Sequence, residues 1–229
     1  NMYGGLSQYQ QELGAYQDAL KVANDLGDHA LMAVALSNLG NAYRSLTQYD
    51  LAKQAFEQAL VLMPTLGDRH LESRTLSDLG RTYRDAGEQI KAQAYFQQAL
   101  TLAQSLDDPA LFGELTTDLA NSYRDAGQNV QALQLYQKAL VNAQVSSDKA
   151  LQAKLWDGIG SVYTTMKQYD RATDAYQKAL AFAQSIPDKN LESQVRADLG
   201  GLYRAMGQFP QSLTAYDQAL AASRTISDT

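Results

Sequence analysis

The chain repeats itself every 40 residues. An Ala-Leu dipeptide recurs at this interval, and a tyrosine recurs at the same interval in a different register. The dipeptides begin at Ala19, Ala59, Ala99, Ala139, Ala179 and Ala219, and the tyrosines are Tyr3, Tyr43, Tyr83, Tyr123, Tyr163 and Tyr203. A fixed period of this length is typical of a solenoid, in which each unit buries its apolar face only against its neighbours. We therefore expect an array of repeats whose function lies on a surface that they share.

Each repeat has the apolar pattern of two helices. In residues 29–68, Leu39 and Tyr43 lie on one helical face, residues 46–48 interrupt the pattern, and Phe56 and Ala59 continue it on a second face. We call the two helices of a repeat helix A and helix B. The predicted fold is all-α, a right-handed α-solenoid superhelix of antiparallel helix pairs.

Small and acidic residues mark the helix ends. Gly87, Gly127 and Gly207 share one repeat position, where a positive φ at the end of helix A is expected. Asp28, Asp68, Asp108, Asp148, Asp188 and Asp228 share another, and we expect them to cap helix A of the following repeat rather than to act as catalytic acids. Gly40, Gly80, Gly160 and Gly200 lie inside helix A, which predicts a close helix contact that Ala120 tolerates in the remaining repeat.

We expect a single array over residues 1–229. It would comprise a partial repeat over 1–28 and full repeats over 29–68, 69–108, 109–148, 149–188 and 189–228. Residues 1–3 align with 41–43, so the chain is expected to start late in a helix A, to begin helix B at Tyr9 and to be a fragment of a larger protein. The unpaired ends of such a fragment would allow end-to-end self-association.

Composition narrows the function classes. The net charge of −6 and the pI of about 4.9 argue against nucleic-acid binding. The chain has no cysteine, no long apolar run and no visible signal peptide at its start, so we expect a cytoplasmic protein without membrane contact.

Catalytic motifs are also missing from the sequence. His29 and His70 occupy repeat positions that do not correspond, no glycine-rich phosphate loop is visible, and the carboxylate pair Asp107-Asp108 lies at a repeat junction. The sequence therefore predicts a protein that is not an enzyme and that binds neither a cofactor nor a metal.

One repeat resembles a known family. The residues Trp156-x-x-Ile159-Gly160-x-x-Tyr163, followed by Ala172, Tyr176 and Ala179, are similar to the tetratricopeptide repeat. The 40-residue length resembles the longer repeats of spindle-orientation adaptors and bacterial regulatory proteins and, more loosely, those of kinesin light chains. The resemblance implies that helix A lines a groove for an extended peptide and that catalysis belongs to other domains.

Polar side chains form a second stripe on helix A. Val34, Ser37, Asn41 and Arg44 fall within an arc of roughly 80° on a helical wheel, away from the apolar face. Over the five full repeats, this arc carries seven basic and two acidic residues, a net charge of +5 on an acidic chain. The basic residues are Arg44, Arg74, Arg81, Arg84, Arg124, Lys154 and Arg204, and the acidic ones are Glu114 and Asp157.

Two interpretations of this stripe stay open. In the first, it binds an extended acidic segment of a partner protein, because the arginine guanidinium matches carboxylates and asparagine amides can bond a peptide backbone. The candidate peptide-binding residues are Asn41, Arg44, Arg74, Arg81, Arg84, Asn121, Arg124 and Arg204. In the second, Asp78, Asp85 and Asp125 neutralise the arginines within a surface ion-pair lattice.

The leading functional hypothesis is a non-catalytic protein-interaction scaffold. The alternative is a regulatory domain that senses a ligand or peptide and controls an attached effector domain. Nucleic-acid binding is the weakest of the hypotheses.

Overall fold

The computed structural model describes residues 2–227, with side chains for residues 10–224. Within this range the chain forms eleven α-helices and no strand. The helices are α1 (Met2–Leu26), α2 (His29–Ser45), α3 (Tyr49–Leu66), α4 (Arg69–Asp85), α5 (Gln89–Ala103), α6 (Pro109–Asp125), α7 (Asn129–Val145), α8 (Lys149–Thr165), α9 (Tyr169–Gln184), α10 (Lys189–Ala205) and α11 (Phe209–Ser227).

The helices pack in sequential pairs. The even-numbered helices α2 to α10 correspond to helix A and are each followed by a helix B, and the two helices of a pair make the most extensive contacts in the fold. Three residues connect helix A to helix B, which is short enough to bring the chain back antiparallel. The chain is therefore an all-α solenoid of helix pairs, as the sequence predicts.

The chain divides into two compact units. Unit 1 comprises Asn1–Asp108 with α1 to α5, and unit 2 comprises Pro109–Thr229 with α6 to α11.

The turn from helix A to helix B requires a left-handed residue. Gly87, Gly127 and Gly207 have φ values of 82°, 73° and 75°, as the sequence predicts. Thr47 and Lys167 occupy the same repeat position with φ values of 59° and 57°, although they carry a Cβ that disfavours this region. The turn geometry is therefore kept even where glycine is missing.

Aspartate caps start helix A in four repeats. The side chains of Asp28, Asp68, Asp148 and Asp188 each accept a hydrogen bond from the backbone N–H three residues later, at 2.9–3.0 Å. The predicted capping role is confirmed at these positions. Asp228, which continues the series, lies outside the described residues.

The glycines inside helix A make room for aromatic rings of helix B. A Cβ built on Gly40 would lie 2.6 Å from the Phe56 ring, so the predicted close contact is confirmed there. In unit 2, Tyr136 is the helix B ring of the repeat in which Ala120 replaces the glycine. This ring contacts a glycine of another helix instead: a Cβ built on Gly158 would lie 2.6 Å from Tyr136. Gly158 thus provides the space in the repeat where Ala120 replaces glycine.

The first helix differs from the expectation. The alignment of residues 1–3 with 41–43 predicts a break before Tyr9, whereas α1 runs without interruption over Met2–Leu26. Leu6-Ser7-Gln8 stands at the expected turn and resembles Leu46-Thr47-Gln48, which does turn, so this segment permits either conformation, and each residue added to a helix gains a backbone hydrogen bond. The helix therefore continues through the predicted break. The side chains of Tyr3 and Tyr9 lie outside the described set.

Candidate functional site

In unit 1, the polar stripes of α2 and α4 lie side by side. We call the surface formed by Val34, Ser37, Asn41, Arg44, Arg74, Ser77, Arg81 and Arg84 the α2–α4 wall. Asn41 Nδ2 donates to Asp78 Oδ2 at 3.1 Å, and Arg44 Nη1 donates to Asp85 Oδ2 at 3.1 Å. Both bonds connect α2 to α4, which fixes the register of the two helices along this surface.

Two aspartates bind three of the wall's arginines. Asp78 pairs with Arg81 at 3.1 Å as well as accepting from Asn41. Asp85 lies 3.1 Å from Arg44 Nη1 and 3.5 Å from Arg84 Nη2, so one carboxylate serves two guanidinium groups. The structure therefore contains the ion pairs of the lattice interpretation.

The same arginines are still accessible. The side chains of Arg44, Arg81 and Arg84 are 25%, 26% and 22% exposed. Arg74 is exposed, and no ion pair involves it among the residues that the structure describes. The four arginines outnumber Asp78 and Asp85, so these two carboxylates alone do not neutralise the α2–α4 wall.

In unit 2, the corresponding surface has a different hydrogen-bond pattern. We call the set Glu114, Thr117, Asn121, Arg124, Lys154, Asp157, Ser161, Thr164, Gln194, Ala197, Gly201 and Arg204 the α6–α10 wall. Gly158 stands at the repeat position of Asp78 and offers no acceptor. Asn121 Oδ1 instead accepts a hydrogen bond from the Tyr136 hydroxyl at 2.6 Å. The two asparagines predicted to bind a peptide therefore both have partners within the protein, of different kinds.

The arginines of unit 2 also differ from one another. Arg124 donates from Nε and Nη2 to Asp125 Oδ1 at 3.1 and 3.0 Å. Burial opposes the charge on Arg124, but nearby Tyr136 and Asp125 outweigh it, so that the pKa of Arg124 is raised. Arg204 is exposed, and it has no ion pair within the described part of the chain.

A carboxyl pair lies on the α6–α10 wall. Asp157 on α8 is only 8% exposed, and its Oδ1 atom is buried without a hydrogen-bond partner. Burial and the neighbouring carboxyl of Asp198 on α10 raise the pKa of Asp157. Burial also raises the pKa of Asp198. Both carboxyl groups therefore hold their protons to a higher pH than an isolated aspartate does.

The sequence contains a signal for this pair that the helical wheel misses. Arg44 reaches Asp85, which is 41 residues later, and Asp157 interacts with Asp198 over the same separation. Listing the charged residues that are 41 positions apart, which is one repeat plus one residue, would have indicated both pairs. A helical wheel shows one helix at a time. It therefore places Asp157 on the polar stripe of α8 but does not show its neighbour Asp198 on α10.

The described residues form neither a candidate metal-binding cluster nor a membrane-spanning helix. No group of three or more histidine or acidic side chains is placed to hold a metal ion there. His70 Nδ1 lies 3.6 Å from Asp108 Oδ2. Nowhere between residues 2 and 227 does a helix combine the length and the apolar character needed to cross a membrane.

The family of the chain follows from its repeats. A tetratricopeptide repeat family model matches residues 1–64, 31–105, 113–185 and 151–225. These matches cover most of the chain, which therefore belongs to the tetratricopeptide repeat family. No match was found among curated protein sequences.

Solved structures share the fold at low identity. BtubC (BKLC) from P. vanneervenii is similar with a TM-score of 0.79 and 20% identity, over 96% of this chain and 93% of that chain. A putative kinesin light chain from Podosopora anserina has a TM-score of 0.67 and 17% identity, over 85% and 96%. The apo quorum sensor NprR from B. thuringiensis has a TM-score of 0.73 and 15% identity, over 97% and 63%. At these identities the likeness concerns the fold alone.

Proposed function

We propose that the chain is a non-catalytic protein-interaction scaffold that holds an extended acidic segment of a partner on its helix A surfaces. Membership of the tetratricopeptide repeat family supports an interaction role. The observation that carries the proposal is the excess of arginine over aspartate on the α2–α4 wall, where the guanidinium groups are paired but still accessible.

The ion pairs on this wall are compatible with ligand binding. Exposed ion pairs contribute only about 0–1 kcal/mol each, so a ligand carboxylate can replace or share an internal aspartate at small cost. Arg74 is exposed and needs no such exchange. Arg44, Arg74, Arg81 and Arg84 are therefore the residues proposed to contact carboxylates, and Asn41 the residue proposed to bond the peptide backbone.

Unit 2 contributes differently under this proposal. Asn121, Arg124 and Arg204 remain proposed peptide contacts, but the carboxyl pair of Asp157 and Asp198 lies on the same wall. This pair offers a ligand carboxylate no positive charge to contact. The acidic part of a ligand is therefore expected on unit 1, with neutral or basic residues on unit 2.

A charge-neutralising variant tests the proposal in unit 1. The probe is a fluorescently labelled peptide with glutamate at alternate positions, titrated by anisotropy. Arg44→Gln/Arg84→Gln removes both partners of Asp85, and we expect the Kd to rise about 30-fold, since two charge-assisted contacts worth on the order of 1 kcal/mol each are lost. Added salt should weaken binding to the unmodified protein.

The control changes net charge by the same amount elsewhere in unit 1. Lys21 and Lys91 are exposed on α1 and α5, and Lys21→Gln/Lys91→Gln should bind like the unmodified protein. Equal affinity of both double variants for the probe would overturn the proposed role of the wall.

A peptide-sensing regulatory domain that controls an attached effector is the second candidate. It is favoured by the similar fold of NprR, which is a quorum sensor. A sensor must have two states that the ligand favours unequally. Small-angle scattering of the chain with and without saturating peptide distinguishes the two roles, because a scaffold predicts unchanged curves and a sensor predicts a changed one.

A further inference from the structure

A groove in unit 2 is lined by residues that belong to neither wall. It runs between α7 and α9, has α8 as its floor and encloses a cavity of about 450 Å³. Trp156 and Tyr163 of α8 line it, and Ala175 of α9 lies beside them. We call it the Trp156 groove. Its volume falls within the range of small-ligand sites.

Unit 1 shows what fills the corresponding space there. Tyr83 is the repeat equivalent of Tyr163, and Tyr95 of α5 stacks on it with ring centroids 5.2 Å apart and planes 5° from parallel. As a result Tyr83 is only 7% exposed. The residue of α9 that is equivalent to Tyr95 is Ala175, so no ring of α9 takes the place of Tyr95 above Tyr163.

The rim of the Trp156 groove carries charges of both signs. Lys178 Nζ lies 4.5 Å from the centre of the Trp156 ring and 2.7 Å from Asp174 Oδ2. The Arg171 guanidinium lies 5.7 Å from the centre of the Tyr163 ring. Asp170 also lines the groove, so its two basic and two acidic residues balance. Binding here is therefore expected to depend on ring contacts rather than on net charge.

We propose that the Trp156 groove binds one aromatic side chain of a partner peptide, which takes the place that Tyr95 has above Tyr83 in unit 1. The ring stacks on Tyr163 and contacts Trp156, while Lys178 and Arg171 flank it. This site is separate from the α2–α4 wall and does not depend on the arginine proposal.

The only tryptophan of the chain provides a direct measurement, because Trp156 lines the groove. The probe is N-acetyl-tyrosinamide, and the readout is Trp156 fluorescence excited above the tyrosine absorption band. We expect a saturable change with the unmodified protein and a much weaker one with N-acetyl-leucinamide. Added salt should leave the affinity unchanged within twofold.

The decisive variant fills the Trp156 groove with a side chain of the protein itself. Ala175→Tyr places the unit 1 residue in α9, and we expect it to weaken probe binding at least tenfold. Ala55→Tyr introduces the same residue at the same repeat position of α3, away from Trp156, and should bind like the unmodified protein. Circular dichroism establishes that both variants are folded.

A second variant decides the question if Ala175→Tyr does not fold. Trp156→Leu restores the residue that unit 1 has at Leu76, and ligand-observed NMR should show severalfold weaker probe binding. No saturable response in the unmodified protein, or unchanged affinity in a folded Ala175→Tyr variant, would overturn the proposal. Neither result would affect the arginine wall, whose variants lie in unit 1.

Discussion

Replacement of Asp157 by asparagine tests the electrostatics of unit 2. Burial and the neighbouring Asp198 raise the pKa of Asp157 to about 8, whereas an aspartate in an unfolded chain has a pKa of about 3.9. Between these values the native state holds a proton that the unfolded state has released. The free energy of unfolding therefore falls as the pH rises and levels off above the raised pKa. The loss is about 1.4 kcal/mol per pH unit, or about 2 kcal/mol between about pH 6 and about pH 8.

The measurement is urea unfolding at a series of pH values, followed by Trp156 fluorescence. Asp157→Asn should reduce this loss, and its difference from the unmodified protein reports the carboxyl pair as a whole, because the substitution also removes the interaction of Asp157 with Asp198. Asp217→Asn, which removes an exposed carboxylate on α11, should follow the unmodified protein. Parallel stability profiles for Asp157→Asn and the unmodified protein would refute the assigned cause.

Two further substitutions test local packing and capping. Gly40→Ala should lower the free energy of unfolding by about 1 kcal/mol in thermal melts, because overpacking against Phe56 outweighs the helix propensity gained. Gly14→Ala is the control, since no atom lies within 4 Å of the added Cβ, and it should stabilise the protein. A destabilised Gly14→Ala would contradict this reasoning. Asp148→Ala should cost about 1 kcal/mol in urea unfolding through loss of the bond from the Leu151 N–H. Asp148→Asn should retain most of that stability, and equal losses in both would exclude a capping role.

Local rules explain why much of the fold follows from the sequence. The apolar spacing around Tyr43 and Phe56 specifies two helices, and Gly87 and Asp68 mark their limits by backbone geometry that depends on neighbouring residues alone. Such features recur every 40 residues and can be recognised from the sequence alone. The continuous helix α1 is the exception, because residues 6–8 resemble the turn segment of residues 46–48 and are nevertheless helical, so this residue pattern alone does not decide between turn and helix.

The site was less predictable because its contacts join different repeats. The sequence pairs Asp125 with Arg124 and Asp85 with Arg84, as the structure has them, but it does not show that Asp85 also binds Arg44 of the preceding repeat. Tyr136 of α7 donates a hydrogen bond to Asn121 of α6 while its ring packs against Gly158 of α8, so the arrangement involves three helices. Residue spacing within one helix carries no information about such contacts.

The most direct test of the central claim observes the arginine side chains themselves. Nitrogen-15 NMR of the guanidinium groups, recorded while the glutamate-containing peptide is added, reports which arginines contact it. We expect saturable shifts for Arg44, Arg74, Arg81 and Arg84, with Arg171 unchanged. Binding of the peptide without shifts in those four signals would show that the arginines of the α2–α4 wall do not contact it.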